Sequence, residues 1–461
     1  MTQALSPLAL LYTCWGLMGL AAGSALMRLD DLDLVQTFMR REGISADVFG
    51  PMGLAWIGLG LLSYTVGDMA ARFQRRRHIN GTATTNLTRA AQLTFVTNLV
   101  LLGVTALWIL TTAAKMGGIV TLAATVYVDS LTTRDMLLEN KLFTGMRLFY
   151  AALPATACLA AGLLATGRLR GQARRLMLFT LICNTIALFI LPIVMSQRLL
   201  LLQLLLSAYI AACIVRGRVF GLHWLGLGAA LFLCLWVARE AITNPIIQRS
   251  ALEIASQKLA FYVVNDMFNA FAPLTQPIPH TFGGLSFEGV MFLTFTDGYF
   301  LNLLKPRLDG LDAVIGGGKF PMFTAAYVDF GVIGGAAFLL MIGFAFRRIF
   351  VRARHSIGWA AVYAQLGAAL LFSSHSVYFT HQNFFFSVAL IGAISRLSQK
   401  RAIALPAVPE PAPFFRTRRI KRAPPPTLPD SLMRHMVIFT SCRRRNTFRT
   451  RRQKERVHEP A

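Results

Sequence analysis

Residues 323–346 read FTAAYVDFGVIGGAAFLLMIGFAF and contain one charged side chain, Asp329. As an α-helix this stretch is long enough to cross a hydrocarbon core of about 30 Å. Similar apolar stretches recur along the whole chain of 461 residues. Soluble proteins carry about a quarter charged residues. This chain carries 15%, and its mean hydropathy is +0.54. The sequence therefore predicts an all-α polytopic membrane protein.

The apolar stretches and the basic residues between them predict a topology. We predict about ten transmembrane helices, at 5–27, 48–70, 90–112, 146–166, 176–195, 199–215, 222–240, 323–346, 357–377 and 382–397. Every even-numbered segment ends on a basic cluster, and these clusters lie at 72–77, 168–175, 216–218 and 347–354. Because loops rich in Lys and Arg stay in the cytoplasm, we expect both termini to be cytoplasmic.

Two regions outside the apolar segments divide the chain. A long outer loop at about 241–322 belongs to a transmembrane domain of residues 1–397. Its stretch 246–271 has a helical alternation of apolar and polar residues, so we expect part of it to lie along the membrane surface. Residues 398–461 form a Pro-rich tail with 16 Lys or Arg against four acids. Such a tail cannot bury a core, so we expect it to be disordered in the cytoplasm and to associate with anionic lipid.

Charge and motifs narrow the function. The net charge of +25 would suggest nucleic acid in a soluble protein, but here the bias of cytoplasmic loops explains it, and we predict no nucleic-acid partner. The sequence contains no Gly-x-x-x-x-Gly-Lys motif for binding a nucleotide phosphate. Neither the cysteines nor the histidines have the spacing of a metal site, so we predict no metal and no cofactor.

Cations on the predicted outer side are the first candidates for a binding site. A guanidinium forks two donors onto a phosphate, although an arginine at the rim also simply extends to the interface. Arg147, Arg198, Arg239 and Arg249 map to the rim, and Arg307 and Lys319 to the long loop. Outer histidines offer a general base or a turn cap, and they are His280, His375 and His381.

Acidic residues leave alternatives open. Asp329 is expected at the outer start of its helix, where it caps the helix or orients an arginine or a sugar hydroxyl. Glycines 331, 334 and 335 would let that helix pack closely against a neighbour. The first outer loop contains Asp30, Asp31 and Asp33, which would form either a solvated turn or a divalent-cation site.

Three short motifs carry a family resemblance over about residues 90–400. Asp329-Phe330-Gly331 follows the long loop, Lys115-Met116-Gly117-Gly118 ends a helix, and Arg198 lies at the rim in SQRLLLL. This layout resembles the Wzy-type O-antigen and oligosaccharide repeat-unit polymerases. The resemblance implies a GT-C-like fold in the bacterial inner membrane. It also implies metal-independent glycosyl transfer from a glycan on undecaprenyl diphosphate. A chain-length regulator and a flippase are the protein partners that the resemblance leads us to expect.

The resemblance and the residues together suggest roles. Arg198, Arg249 and Arg239 would stabilise the departing diphosphate, with His280 as base, which makes these four the predicted catalytic residues. The predicted substrate-binding residues are Arg147, Arg307, Lys319, Asp329 and His375.

Three other functions fit part of the pattern. An O-antigen ligase would join the glycan to lipid A core by similar diphosphate chemistry. A metal-dependent glycosyltransferase would use Asp31 and Asp33. A transporter or flippase would have internal repeats, broken helices and charges at the membrane midplane, and we find no convincing repeat.

Overall fold

The computed structural model describes residues 2–73, 85–128, 130–143, 145–195, 199–243, 250–275, 277–312 and 319–399. In these residues the regular structure is helical, and one isolated β-bridge joins Thr85 to Gln399. The α-helices, numbered α1 to α17 in chain order, are Pro7–Met27, Asp33–Arg41, Pro51–Phe73, Leu87–Lys115, Ile119–Val128, Ser130–Glu139, Arg147–Ala151, Leu153–Ala165, Gly171–Met195, Leu199–Arg216, Leu222–Thr243, Ala251–Phe271, Glu288–Leu293, Asp297–Asp312, Met322–Ala353, Ile357–Leu371 and Gln382–Leu397. The prediction of an all-α protein is confirmed.

Seven stretches of helix in the described residues are long and apolar enough to cross a membrane, which supports a polytopic membrane protein. They are Pro7–Met27, Pro51–Phe73, Leu87–Lys115, Arg147–Ala165, Gly171–Leu191, Leu199–Arg216 and Met322–Ala353. Three shorter apolar helices, Leu222–Ala238, Ile357–Leu371 and Gln382–Leu397, coincide with the remaining predicted segments. A helix of 15 residues such as α16 spans only about 22 Å. The count of ten spans and the GT-C-like fold therefore stay predictions.

Helix α8 lies at the centre of the bundle and is buried from Leu153 to Leu163. It packs against α4, α9, α10 and α16. Its side chains are mostly small, which lets the neighbouring backbones come close. Polar groups add hydrogen bonds between helices: Thr156 donates to Asn98 at 2.7 Å, and Asn184 donates to Thr156 at 3.0 Å.

Helices α3 and α15 pack closely against each other. A Cβ added to Gly67 would overlap the carbonyl oxygen of Leu340, and one added to Gly343 would overlap that of Tyr64. The three glycines predicted to permit this packing divide their roles instead. Only Gly335 faces α3, where a Cβ would lie 2.9 Å from the ring of Trp56. Gly334 lies against Phe330 of its own helix.

Helix α15 is broken at Gly331, whose backbone has φ 68° and ψ −168°. The helix begins at Met322, so Asp329 is its eighth residue. Asp329 is also two residues before the break, so the expectation that it lies at the start of a helix holds only for the part of α15 that follows Gly331. Arg347 is 16 positions after Gly331, which corresponds to about 24 Å of helix and puts the break close to one membrane boundary if the arginines lie at the other.

Helix α12 has the exposed face of a surface helix only in its first half. Its second half, from Val264 to Phe271, is enclosed by protein, and the helix packs against α1, α2 and α11. The second half of this helix is therefore more deeply buried than the first. The apolar–polar alternation along 246–271 did not reveal this difference. The basic tail from 400 onward lies outside the described residues.

Candidate functional site

A buried carboxylate and a histidine form a hydrogen-bonded pair between the end of α12 and the loop that joins α16 to α17. The Nδ1 atom of His375 lies 2.8 Å from Oδ1 of Asp266. Burial raises the pKa of Asp266, and the hydrogen bond from His375 acts in the opposite direction. A carboxylate that accepts from Nδ1 fixes the tautomer of the imidazole and leaves Nε2 available to take a proton.

Aromatic rings enclose this pair on one side. The Tyr378 ring stacks on His375, with centroids 6.2 Å apart and planes at 22°. Burial raises the pKa of Tyr378, and the nearby Asp266 adds to the effect. The ring of His381 lies next to that of Tyr378, with centroids 5.5 Å apart. The loop 372–381 therefore places two histidines and a tyrosine in one row.

Two cations act on the same row. The pKa of His381 is lowered to about 3, first by burial and then by the charges of Lys319 and Arg147. The side chains of Lys319 and Arg147 are exposed. His381 also lies 3.3 Å from the Ser376 hydroxyl through Nε2. Two accessible cations thus lie within electrostatic range of a histidine that stays neutral at physiological pH.

A second cluster surrounds Asp329, which is fully buried. Its carboxylate accepts from the backbone N–H of Leu285 at 3.0 Å and of Ser286 at 2.7 Å, and from the hydroxyl of Thr281. The N–H of Phe282 donates to the Asp329 carbonyl at 2.9 Å. Asp329 therefore anchors the turn 281–286 of the long loop onto α15.

His280 and Arg307 belong to this second cluster. Arg307 donates to the His280 carbonyl at 2.7 Å, and its guanidinium lies 4.9 Å from the Phe282 ring centroid. The Nδ1 atom of His280 lies 3.2 Å from the Val328 carbonyl. A Cβ at Gly331 would lie 3.1 Å from His280 Nε2, so this nitrogen faces the break in α15. Both residues are engaged in holding the loop on the helix.

The two clusters are joined by α13, which follows the anchored turn. Gly289 of α13 packs on the backbone from Thr380 to Gln382, where a Cβ would lie 2.5 Å from the Gln382 nitrogen. Met322 at the start of α15 donates to the Ser373 carbonyl at 2.8 Å. Both clusters therefore lie at the same end of the bundle.

The structure brings together six of the nine predicted site residues in these two clusters. Arg147, Lys319 and His375 belong to the first, and His280, Arg307 and Asp329 to the second. Arg198 and Arg249 lie outside the described residues, as does the side chain of Arg239 in α11.

The first outer loop shows other contacts for its acids. Asp31 pairs with Arg28 at 3.4 Å on the surface, and Oδ1 of Asp33 lies 3.4 Å from the amide nitrogen of Gln257. Among the described residues, no three His, Cys, Asp or Glu side chains gather in a way that would hold a metal ion.

Sequence reasoning missed Asp266 and Tyr378. Asp266 stands in YVVNDMFNAF, residues 262–271, where an acid among apolar residues is unusual enough to mark a buried pair. Its partner His375 lies 109 residues away, so no local spacing connects the two.

No family model, no curated protein and no solved structure matches this chain.

Proposed function

We propose that this chain is a membrane glycosyltransferase that polymerises oligosaccharide repeat units carried on undecaprenyl diphosphate, at the periplasmic face of a bacterial inner membrane. The observation that carries the proposal is the Asp266–His375 pair, in one row with His381, on which the charges of Lys319 and Arg147 act. A base beside cations suits a reaction in which a hydroxyl loses its proton while a phosphate gains charge. The product would be a surface polysaccharide such as O-antigen, capsule or exopolysaccharide.

His375 would act as the general base. The acceptor hydroxyl attacks the anomeric carbon of the donor, and its proton passes to Nε2 of His375. The new glycosidic bond forms as the bond from that carbon to the diphosphate oxygen breaks. Asp266 stabilises the imidazolium that results, because their atoms are only 2.8 Å apart.

Lys319 and Arg147 would stabilise the leaving diphosphate. Their positive charges attract the negative charge that develops on the diphosphate as it leaves. His381 is neutral at physiological pH, so the positive charges beside it are those of Lys319 and Arg147. Arg198, Arg239 and Arg249 stay predictions for further ligands of the same diphosphate.

His375 replaces His280 as our preferred base. Both ring nitrogens of His280 face backbone, at the Val328 carbonyl and at Gly331. Arg307 is likewise held by the His280 carbonyl and the Phe282 ring. We therefore assign His280, Arg307 and Asp329 to positioning the loop beside the site.

The test is the glycan ladder of a deletion strain that expresses Asp266→Asn or His375→Gln. Loss of the long chains, with a single repeat unit still on the lipid A core, supports the polymerase. Asp31→Asn and His355→Gln, which change exposed residues away from the pair, serve as controls and should restore the full ladder. Full ladders from both site variants would refute the proposed base. A bare core in the deletion strain would identify a ligase instead.

A transporter is the second candidate, because α15 is broken at Gly331 beside the buried Asp329. Discontinuous helices are typical of transporter binding sites. The purified chain in detergent, given a lipid-linked repeat unit, distinguishes the two. Chain growth without a sealed membrane supports the enzyme, whereas transfer of the unit across sealed vesicles without growth supports the transporter.

A further inference from the structure

The ends of α3 and α15 remote from the proposed site carry a second charged cluster. Asp68 of α3 is fully buried, and its Oδ2 accepts from Arg72 at 2.7 Å from Nε and 2.6 Å from a terminal nitrogen. Arg347 of α15 interacts electrostatically with Asp68, Arg72 and Arg354. Asp68 therefore pairs with one arginine, and Arg347 lies within electrostatic range of this pair and of Arg354.

This carboxylate neutralises only one of the arginines. Asp68 pairs with Arg72, and the charges of Arg347 and Arg354 remain. Both of these guanidinium groups lie over the buried Phe350 ring, at 5.3 Å and 4.7 Å from its centroid. Two positively charged guanidinium groups thus contact one ring, and they repel each other unless an anion is present.

Unmet hydrogen bonds mark the same place. Within the described part of the chain, three buried atoms here lack a hydrogen-bond partner: the Tyr64 hydroxyl, Oδ1 of Asp68 and Nε of Arg347. Tyr64 and Asp68 are one helical turn apart, so a water molecule could bridge them. Nε of Arg347 is a donor and needs an acceptor, and an uncompensated buried donor costs about 1 to 3 kcal/mol.

We propose that Arg347 and Arg354, with Arg72 held by Asp68, bind the phosphate group of an anionic phospholipid in the leaflet at this end of the bundle. Guanidinium groups fork onto phosphate oxygens, and the side chains of Arg354, which is exposed, and Arg347, which is half-buried, are accessible to one at this end of the bundle. Lipid is the favoured source because Met69 and Phe73, on the last turns of α3, are 46% and 83% exposed and would meet acyl chains. This site is separate from the proposed reaction and does not depend on it.

The test uses the purified full-length chain, stripped of lipid in detergent. Native mass spectrometry counts bound phosphatidylglycerol, and thermal denaturation measures the stabilisation that it gives. Binding by Arg347→Gln and Arg354→Gln should be about tenfold weaker than in the unmodified chain, as expected for loss of one hydrogen bond between charged groups. Arg170→Gln removes an exposed charge from another basic loop and should bind as the unmodified chain does.

Three comparisons decide the outcome. Equal binding by the unmodified chain and both cluster variants, or an equal loss in Arg170→Gln, would overturn the site. Stabilisation by inorganic phosphate alone, lost in the same two variants, would support the phosphate site but identify a free anion as its ligand. Arg347→Lys keeps the charge while removing the fork, so weak binding by a variant with an unchanged elution profile excludes misfolding as the cause.

Discussion

Asp329 illustrates how a side chain's role is set by residues far from it in sequence. An acid before an apolar run predicts a cap for its own helix, and this reading follows from the favourable dipole at a helix start. The groups that Asp329 binds are instead 43 to 48 residues earlier in the chain. These three donors make this one carboxylate the anchor of the turn 281–286.

Asp329→Ala should lower the free energy of unfolding by about 2 to 4 kcal/mol, since it leaves the donors of Leu285, Ser286 and Thr281 buried without an acceptor. Denaturation in detergent measures the loss. Asp30→Ala, at an exposed position in the first outer loop, is the control and should change stability by less than about 0.5 kcal/mol. A variant at 329 as stable as this control would contradict the anchoring role.

His381 gives the protein a predicted sensitivity to acid. Its pKa in the folded state, about 3, is below the usual value of 6.5, so the unfolded chain binds the extra proton first as pH falls. Stability should therefore be constant above pH 6.5 and decrease below it, by at most about 1.4 kcal/mol per pH unit, until about pH 3. His381→Gln cannot take up this proton, so its melting temperature should fall less between pH 7 and 5. Parallel curves for the two proteins would rule out His381 as the cause.

At the scale of the element, α15 shows what an apolar run predicts and what it conceals. Its length and composition predict a membrane helix correctly, because a backbone in lipid must satisfy its own hydrogen bonds. The break at Gly331 depends on a backbone conformation that is essentially restricted to glycine. The glycine is visible in the sequence, but three glycines stand close together there and only one has this conformation.

Gly331→Ala should destabilise the protein by about 1 to 3 kcal/mol, because the new Cβ is strained and lies 3.1 Å from His280. Gly103→Ala in α4 is a matched control, since a Cβ there meets nothing within 4 Å. This control should be neutral or slightly stabilising. Melting temperatures of the two variants in the same detergent make the comparison, and equal values would argue against a strained break.

The sequence predicted the end of helix α4 but not the burial of the second half of α12. The Lys115-Met116-Gly117-Gly118 motif ends α4 as expected: the helix stops at Lys115, and Gly117 and Gly118 have φ of 90° and 121°. The second half of α12 could not be anticipated, because its burial depends on α1 and α2 closing over it. Alternation along one segment reports a polar face but not which partner covers it.

At the scale of the whole molecule, charge is distributed unequally between the two ends of the bundle. Arg72, Arg347 and Arg354 lie at the end remote from the proposed site, and the positive-inside rule puts such clusters in the cytoplasm. The Asp266–His375 pair would then face the opposite side, as the proposed polymerase requires.

Reporter fusions test this orientation. Alkaline phosphatase, which is active only outside the cytoplasm, should be active when fused after Thr275 in the long loop and inactive when fused after Gly217. Fusion after Arg354 is a second cytoplasmic control. Activity in the reverse pattern would put the Asp266–His375 pair on the wrong side of the membrane for the proposed polymerase.

The amino-acid sequence by itself determined that this is a helical membrane protein and where its apolar helices lie, because both depend on local length and polarity in a solvent without water. It also singled out His375, Lys319 and Arg147 as candidates, since polar groups at an apolar rim are conspicuous. Only the tertiary structure paired His375 with Asp266, attached Asp329 to a distant turn and brought Arg347 within range of the Asp68–Arg72 pair. Those contacts join helices through side chains that are far apart in the chain, and no periodicity within one segment contains that information.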